Sequence, residues 1–319
     1  MDESNDIEVD TVMATTHVVR DTVLSLESLH NAAASVNERD RKPPMLAEHD
    51  HLCPPMGQTI ACRVVPIEGG HHALVGEYDL FPPPCEIDLP FGDVGYEQQS
   101  KTHSFPFATG EFHHPENFCV GIDPTSLGGI QETNNIFKEL QTHGDTEFET
   151  QPIERRSLLP DPEIIFTLGL KASAAWFGLR VAKAAADTLE PELKHFFQVL
   201  IVAIKRMATN AIPKIRPVTY VLQVHGKPNL EFVARTRDAH AVITAMADRD
   251  LSELRPQIDT LREQFKAEMI QFKMHDDGKW CFNYLLTMDG KVIGTKESFD
   301  HRAVVLKQMD RKRKRKKNA

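Results

Sequence analysis

Histidine and cysteine recur at close spacing in two places along this chain. "HDHLC" puts His49, His51 and Cys53 at alternate positions, so an extended strand would turn all three to one side. "EFHHPENFC" supplies His113, His114 and Cys119. Zinc takes four nitrogen or sulfur ligands in a tetrahedron, usually delivered as two close pairs, and each cluster offers one pair. Neither has Cys-x2-Cys or His-x3-His spacing, and the competing reading is six ordinary loop residues. A site here would be structural rather than catalytic, because a proline-broken region with little core gains most from a staple. Zinc is the one cofactor these patterns suggest. "DPTSLGG", before a helix, offers backbone N–H groups for a phosphate but lacks the lysine of a P-loop and the spacing of a dinucleotide fingerprint, so it reads as an ordinary helix entry. Neither G-x-S-x-G nor H-E-x-x-H occurs in the sequence.

A third candidate is electrostatic. Arg311, Lys312, Arg313, Lys314, Arg315, Lys316 and Lys317 form an unbroken basic run in a chain of net charge −9. Without those seven charges the remainder carries −16. Such a body repels nucleic acid at long range, so polyanion binding must be concentrated in this run. With no aromatic and little apolar material, 305–319 reads as a flexible solvated arm. Its charge suits a nuclear import signal, a grip on phosphates, an acidic surface or plain solubility.

The elements that must position these groups fall into five stretches. Residues 1–40 begin acidic and then read as an amphipathic helix, with Val12, Val19, Leu26 and Ala33 seven apart and Thr15, Thr22, Leu29 and Val36 between them. That weak heptad seam suits either a partner helix or one lying on its own domain. Residues 41–140 are Pro- and His-rich, a small β-rich or partly ordered region holding "TIACRVVPI" and "HHALVGEYDLF". Residues 141–162 read as a linker. Residues 163–304 read as an α+β domain, opening with a helical hairpin over 163–211 because the text turns alanine-rich and Pro213 and Pro217 then stop it. Strands and helices follow over 218–295: "VTYVLQV", "LEFVART", a helical stretch, "MIQFKM", "WCFNYLLT" and "VIG". Two Asp-Gly turns flanked by apolar runs are hairpin signals. The fold class expected is α+β, an antiparallel sheet in ββαββ order whose apolar face the hairpin covers, with Trp280, Phe282, Tyr284 and Leu286 on one face.

Five cysteines, an odd number spread over 319 residues, do not form a disulfide framework, and "MDESNDIEVD" has no secretory features. A cytoplasmic location is expected, or a nuclear one in a eukaryote. The stretch 164–186 is long and apolar enough to suggest a membrane span, but Lys171 near its centre opposes insertion. The leading expectation is a non-enzymatic interaction or regulatory protein with a protein partner, using the N-terminal helix, the Pro-rich segment and the basic arm. Alternatives are a nucleic-acid-associated protein, a metal-dependent enzyme or zinc-stapled module, and a peripheral membrane contact through 163–211.

Overall fold

The computed structural model describes residues 11–17, 24–108, 118–142, 148–152, 161–181, 191–248 and 251–317. Helices and sheets both contribute heavily, which makes the chain α+β. Near the N-terminus, β1 (Thr11–Thr15), β2 (Pro44–Met45), β3 (Gly57–Ile67) and β4 (His71–Leu80) form an antiparallel sheet in the order β1-β4-β3-β2. Helix α1 (Leu26–Asn37) packs Leu29 and Ala33 against Cys62 and Leu74 of that sheet. Ser25 caps it, its Oγ accepting from the Ser28 N–H at 3.0 Å. The heptad seam is therefore not one helix. Thr11–Thr15 is a strand, as its β-branched composition favours, and Leu29 and Ala33 lie against the chain's own sheet. The acidic residues 1–10 lie outside the described residues.

Ten strands make the second sheet. They are β5 (Cys85–Asp88), β6 (Val94–Gln98), β7 (Phe118–Ile122), β8 (Glu149–Pro152), β9 (Glu163–Leu168), β10 (Val218–Val224), β11 (Asn229–Thr236), β12 (Ala267–Met274), β13 (Trp280–Thr287) and β14 (Val292–Thr295), in the order β5-β6-β14-β13-β12-β11-β10-β9-β7-β8. The expectation of an antiparallel sheet is corrected here, because β7/β8, β9/β10 and β11/β12 pair in parallel. The reason is connectivity. Helices α3 (Leu170–Arg180) and α4 (Pro191–Asn210) carry the chain from β9 to β10, and α5 (Ala239–Ile243) and α6 (Arg255–Phe265) carry it from β11 to β12, as parallel neighbours require. Residues 163–168, expected to open a helix, are instead a strand whose Ile164, Phe166 and Leu168 are buried. Part of the expected linker is β8, and 85–98 and 118–122 join the same sheet. Among the described residues, no helix is long and apolar enough to cross a membrane.

The sheet has two unlike faces. One carries Phe166, Tyr220, Leu222, Phe232, Phe272 and Phe282 into a core roofed by Trp176 of α3, Phe196 and Leu200 of α4, and Ile258 and Leu261 of α6. Helix α2 (Ile130–Gln141) adds Ile136, Phe137 and Leu140. On β13 the expected single face splits. Trp280 and Phe282 enter this core, but Tyr284 and Leu286 point to the opposite side with Phe107 and Val292. Between them the register slips: Gln271 faces Tyr284 while Phe272 faces Phe282, leaving Asn283 as the extra residue of a β-bulge. Its amide is buried and donates to Leu52 O at 3.1 Å and Gln271 Oε1 at 2.6 Å. Polar bonding thus fixes a slip that alternation alone does not announce.

Phe232 stacks on Phe272, meets Trp280 edge-on and Trp176 at a tilt, with centroids 5.1–5.5 Å apart. Phe232→Ala is expected to lower unfolding stability by about 3–5 kcal/mol in urea titration. The same change at exposed Phe91 should cost under ~1 kcal/mol.

Candidate functional site

The second face of the sheet carries side chains whose arrangement could do chemistry. Pairing register puts Cys119 opposite Thr167, Thr167 opposite Gln223, Gln223 opposite Glu231, Glu231 opposite Gln271, and Gln271 opposite Tyr284. These six residues form one row across β7, β9, β10, β11, β12 and β13. Four residues along the strands lies a second row, Glu163, Thr219 and Arg235. Across both rows runs the connection between β2 and β3, residues 46–56, here called the strap. Helix α7 (Lys296–Lys317) flanks it.

The strap does not run as an extended strand, so the alternation of His49, His51 and Cys53 does not bring them to one side. Ala47–His49 is a single tight turn with Glu48 and His49 at φ of 52° and 58°, the left-handed region that costs non-glycine residues about 1–2 kcal/mol each. Beyond it Asp50 and His51 drop onto the sheet. Asp50 accepts both terminal nitrogens of Arg235 and also faces His301 Nε2 at 3.0 Å. Burial alone would raise the Asp50 carboxyl, but the His301 hydrogen bond and the Arg235 charge outweigh it and hold the group well below the usual carboxylate range. Next in the chain, His51 lies between two carboxylates, its Nδ1 3.4 Å from Glu231 and its Nε2 3.5 Å from Glu163. From α7, Arg302 donates to the carbonyls of Pro54 and Pro55 and to Gln98 Oε1. Burial pulls its guanidinium down to about 10.

Glu231 is the centre of the first row. It accepts from Gln223 Nε2 at 3.1 Å and from Gln271 Nε2. Burial would raise its pKa; the His51 contact and the two glutamine bonds reverse that, leaving it below the ordinary glutamate value. The same Gln271 nitrogen also lies 2.8 Å from His51 O and 3.1 Å from Tyr284 Oη, so its two hydrogens are shared among three acceptors. Between this row and the strap is a cavity of about 280 Å³, walled by Leu46, His51 and Pro55 above and by Cys119, Thr167, Gln223, Glu231, Met269, Tyr284 and Leu286 below.

The sequence-flagged metal candidates separate. His51 and Cys119 line this cavity, whereas exposed His49 borders a charged cleft beside α7. Cys53 lies near Asp50 and His301, their ligand atoms within 4.8 Å of one another. Within that trio Asp50 is already engaged by Arg235 and His301, and burial with the Asp50 charge drives the Cys53 thiol far up, keeping it neutral. A cation there would have to displace one that the protein supplies. Burial likewise pushes Cys119 up to about 12, leaving it a neutral thiol. His113 and His114 lie outside the described residues. The "DPTSLGG" turn is closed by Asp123, whose carboxylate accepts from Thr125 N at 2.8 Å, an ordinary entry to α2. The expected flexible arm is also revised: α7 continues helical to Lys317, with Arg311 and Lys314 exposed. Lys and Arg are good helix formers, and their charge suits a helix C-terminus. Comparison with protein-family models, curated proteins and solved structures returns no match.

Asp50→Asn, which leaves Arg235 buried beside a neutral group, should cost about 3 kcal/mol in equilibrium unfolding, and Asp50→Leu combined with Arg235→Met should recover most of it. Because the folded carboxyl titrates below its unfolded value near ~3.9, its stabilisation is complete above that pH and is lost as pH falls through the folded value. The unfolding midpoint of the native protein should therefore drop between about pH 4 and 2, and the slope in that window should be shallower in Asp50→Asn.

Proposed function

We propose that the protein is a non-enzymatic binding protein, and that its ligand is a small, largely apolar molecule without negative charge, held under the strap. The observation that carries this reading is the cavity over the Glu231 row. Its volume of about 280 Å³ is near the lower end of small-molecule sites, and a mostly apolar wall with a few converging polar groups is their usual composition. Charge narrows the class. Neither lysine nor arginine is among the lining residues, and His51 is already set between Glu163 and the anionic Glu231, so a carboxylate or phosphate would enter beside like charge. The neutral dye N-phenyl-1-naphthylamine should gain fluorescence on binding, and Ile165→Trp, which fills the cavity from β9, should weaken it at least tenfold while the far-ultraviolet dichroism is retained. Equal binding by both proteins would place the dye elsewhere and remove the support.

A second reading rests on α7. Seven consecutive cations on a helical extension, attached to a body of opposite charge, favour contact with nucleic acid phosphates. Duplex DNA should bind at 50 mM salt, lose most of that affinity by 200 mM, and fail to bind protein lacking 311–319. Binding that survives the deletion would rule this out.

A further inference from the structure

The cavity row has a direction. Glu231 is ionised and can only accept, so Gln223 must present its amide nitrogen to Oε2 and its carbonyl oxygen to the other side, where Thr167 Oγ1 donates to it at 3.0 Å. Gln271 is oriented the same way, giving its nitrogen to Glu231 and accepting from Asn283 on its oxygen. Counting valences along the row leaves little unused. Gln223 Nε2 has two hydrogens and donates one to a described residue. Glu231 Oε2 accepts from Gln223, while its Oε1 takes Gln271 and the His51 contact. Among the described residues, then, one amide N–H and one carboxylate lone pair stay open side by side, on atoms 3.1 Å apart. Both residues line the cavity.

An adjacent donor and acceptor at that spacing match an amide edge, in which a C=O and an N–H point the same way. The geometry points to a neutral ligand with an apolar body and a primary or cyclic amide edge, its carbonyl accepting from Gln223 Nε2–H and its N–H donating to Glu231 Oε2. This rests on the cavity being a ligand site. A carboxylate in the same pose would face Glu231 with like charge. An amidinium would satisfy Glu231 but offer no acceptor to Gln223, and a hydrocarbon would leave both groups without partners.

Four probes sharing a phenyl ring separate these cases on the full chain: benzamide, benzoate, benzamidine and toluene, each titrated by calorimetry and by ¹⁵N spectra of the side-chain amides. Benzamide should bind about tenfold more tightly than any of the others, as two net hydrogen bonds imply. It should also move the Gln223 side-chain amide signals, which need no variant to observe. Gln223→Met, checked for folding by thermal melting, should lower benzamide affinity about tenfold. Toluene or benzamidine binding as tightly as benzamide, or unmoved Gln223 signals, would overturn the amide class while leaving the cavity reading in place. Tightest binding by benzoate would overturn the charge argument as well, and no binding by any of the four would remove the cavity reading itself.

Discussion

A single buried carboxylate organises one side of this protein. Glu231, 7% exposed on a central strand, would be expensive to ionise without partners, and the surrounding structure supplies them from three other elements, β10, β12 and the strap. Because a carboxylate only accepts, it sets the orientation of Gln223 and Gln271, and those amides in turn set Thr167 and Asn283. The same charge draws His51 down from the strap, and Gln271 and Tyr284 then hold the strap's backbone at His51 O. The row of polar residues therefore works as one connected network, in which each bond depends on its neighbour being satisfied.

A second anchor keeps the strap in place from the other side. Asp50 meets Arg235 of β11 and His301 of α7, and Arg302 of α7 grips the strap at Pro54 and Pro55. Sheet, strap and final helix are thereby locked together by desolvated charges, while the opposite face of the same sheet is held chiefly by aromatic and aliphatic packing. This division of labour explains the cavity. The apolar face is filled, whereas the polar face cannot be packed closely without leaving donors and acceptors unpaired, so the strap spans it and leaves space beneath.

Local signals in the sequence account for much of the fold but little of the site. The strands Val218–Val224 and Trp280–Thr287 follow from β-branched and aromatic alternation, and Asp277-Gly278 and Asp289-Gly290 mark the turns on either side of the second. Long-range choices are not written that way. Nothing local says that Glu163–Leu168 pairs in parallel with β10, or that Asn283 is a bulge that sends Tyr284 to the far side. Alternate polar residues such as Gln223, Glu231 and Gln271 look like a solvated strand face, and only the arrival of a distant strap makes them an interior. The segment "HDHLC" does stand out by composition. Its importance lies in Asp50, which zinc spacing ignores, and in two left-handed residues that break the strand geometry on which the ligand argument relied.

The ionised state of Glu231 is the premise from which the amide orientations, the seating of His51 and the character of the cavity all descend. Carbon-13 spectra of the glutamate side chains, followed from neutral pH downward, read that state directly. The Glu231 carboxyl should remain ionised below the ordinary glutamate value of about 4.3. A midpoint near or above pH 6 would mean that burial prevails and the carboxyl is readily protonated, and the network as described would not exist.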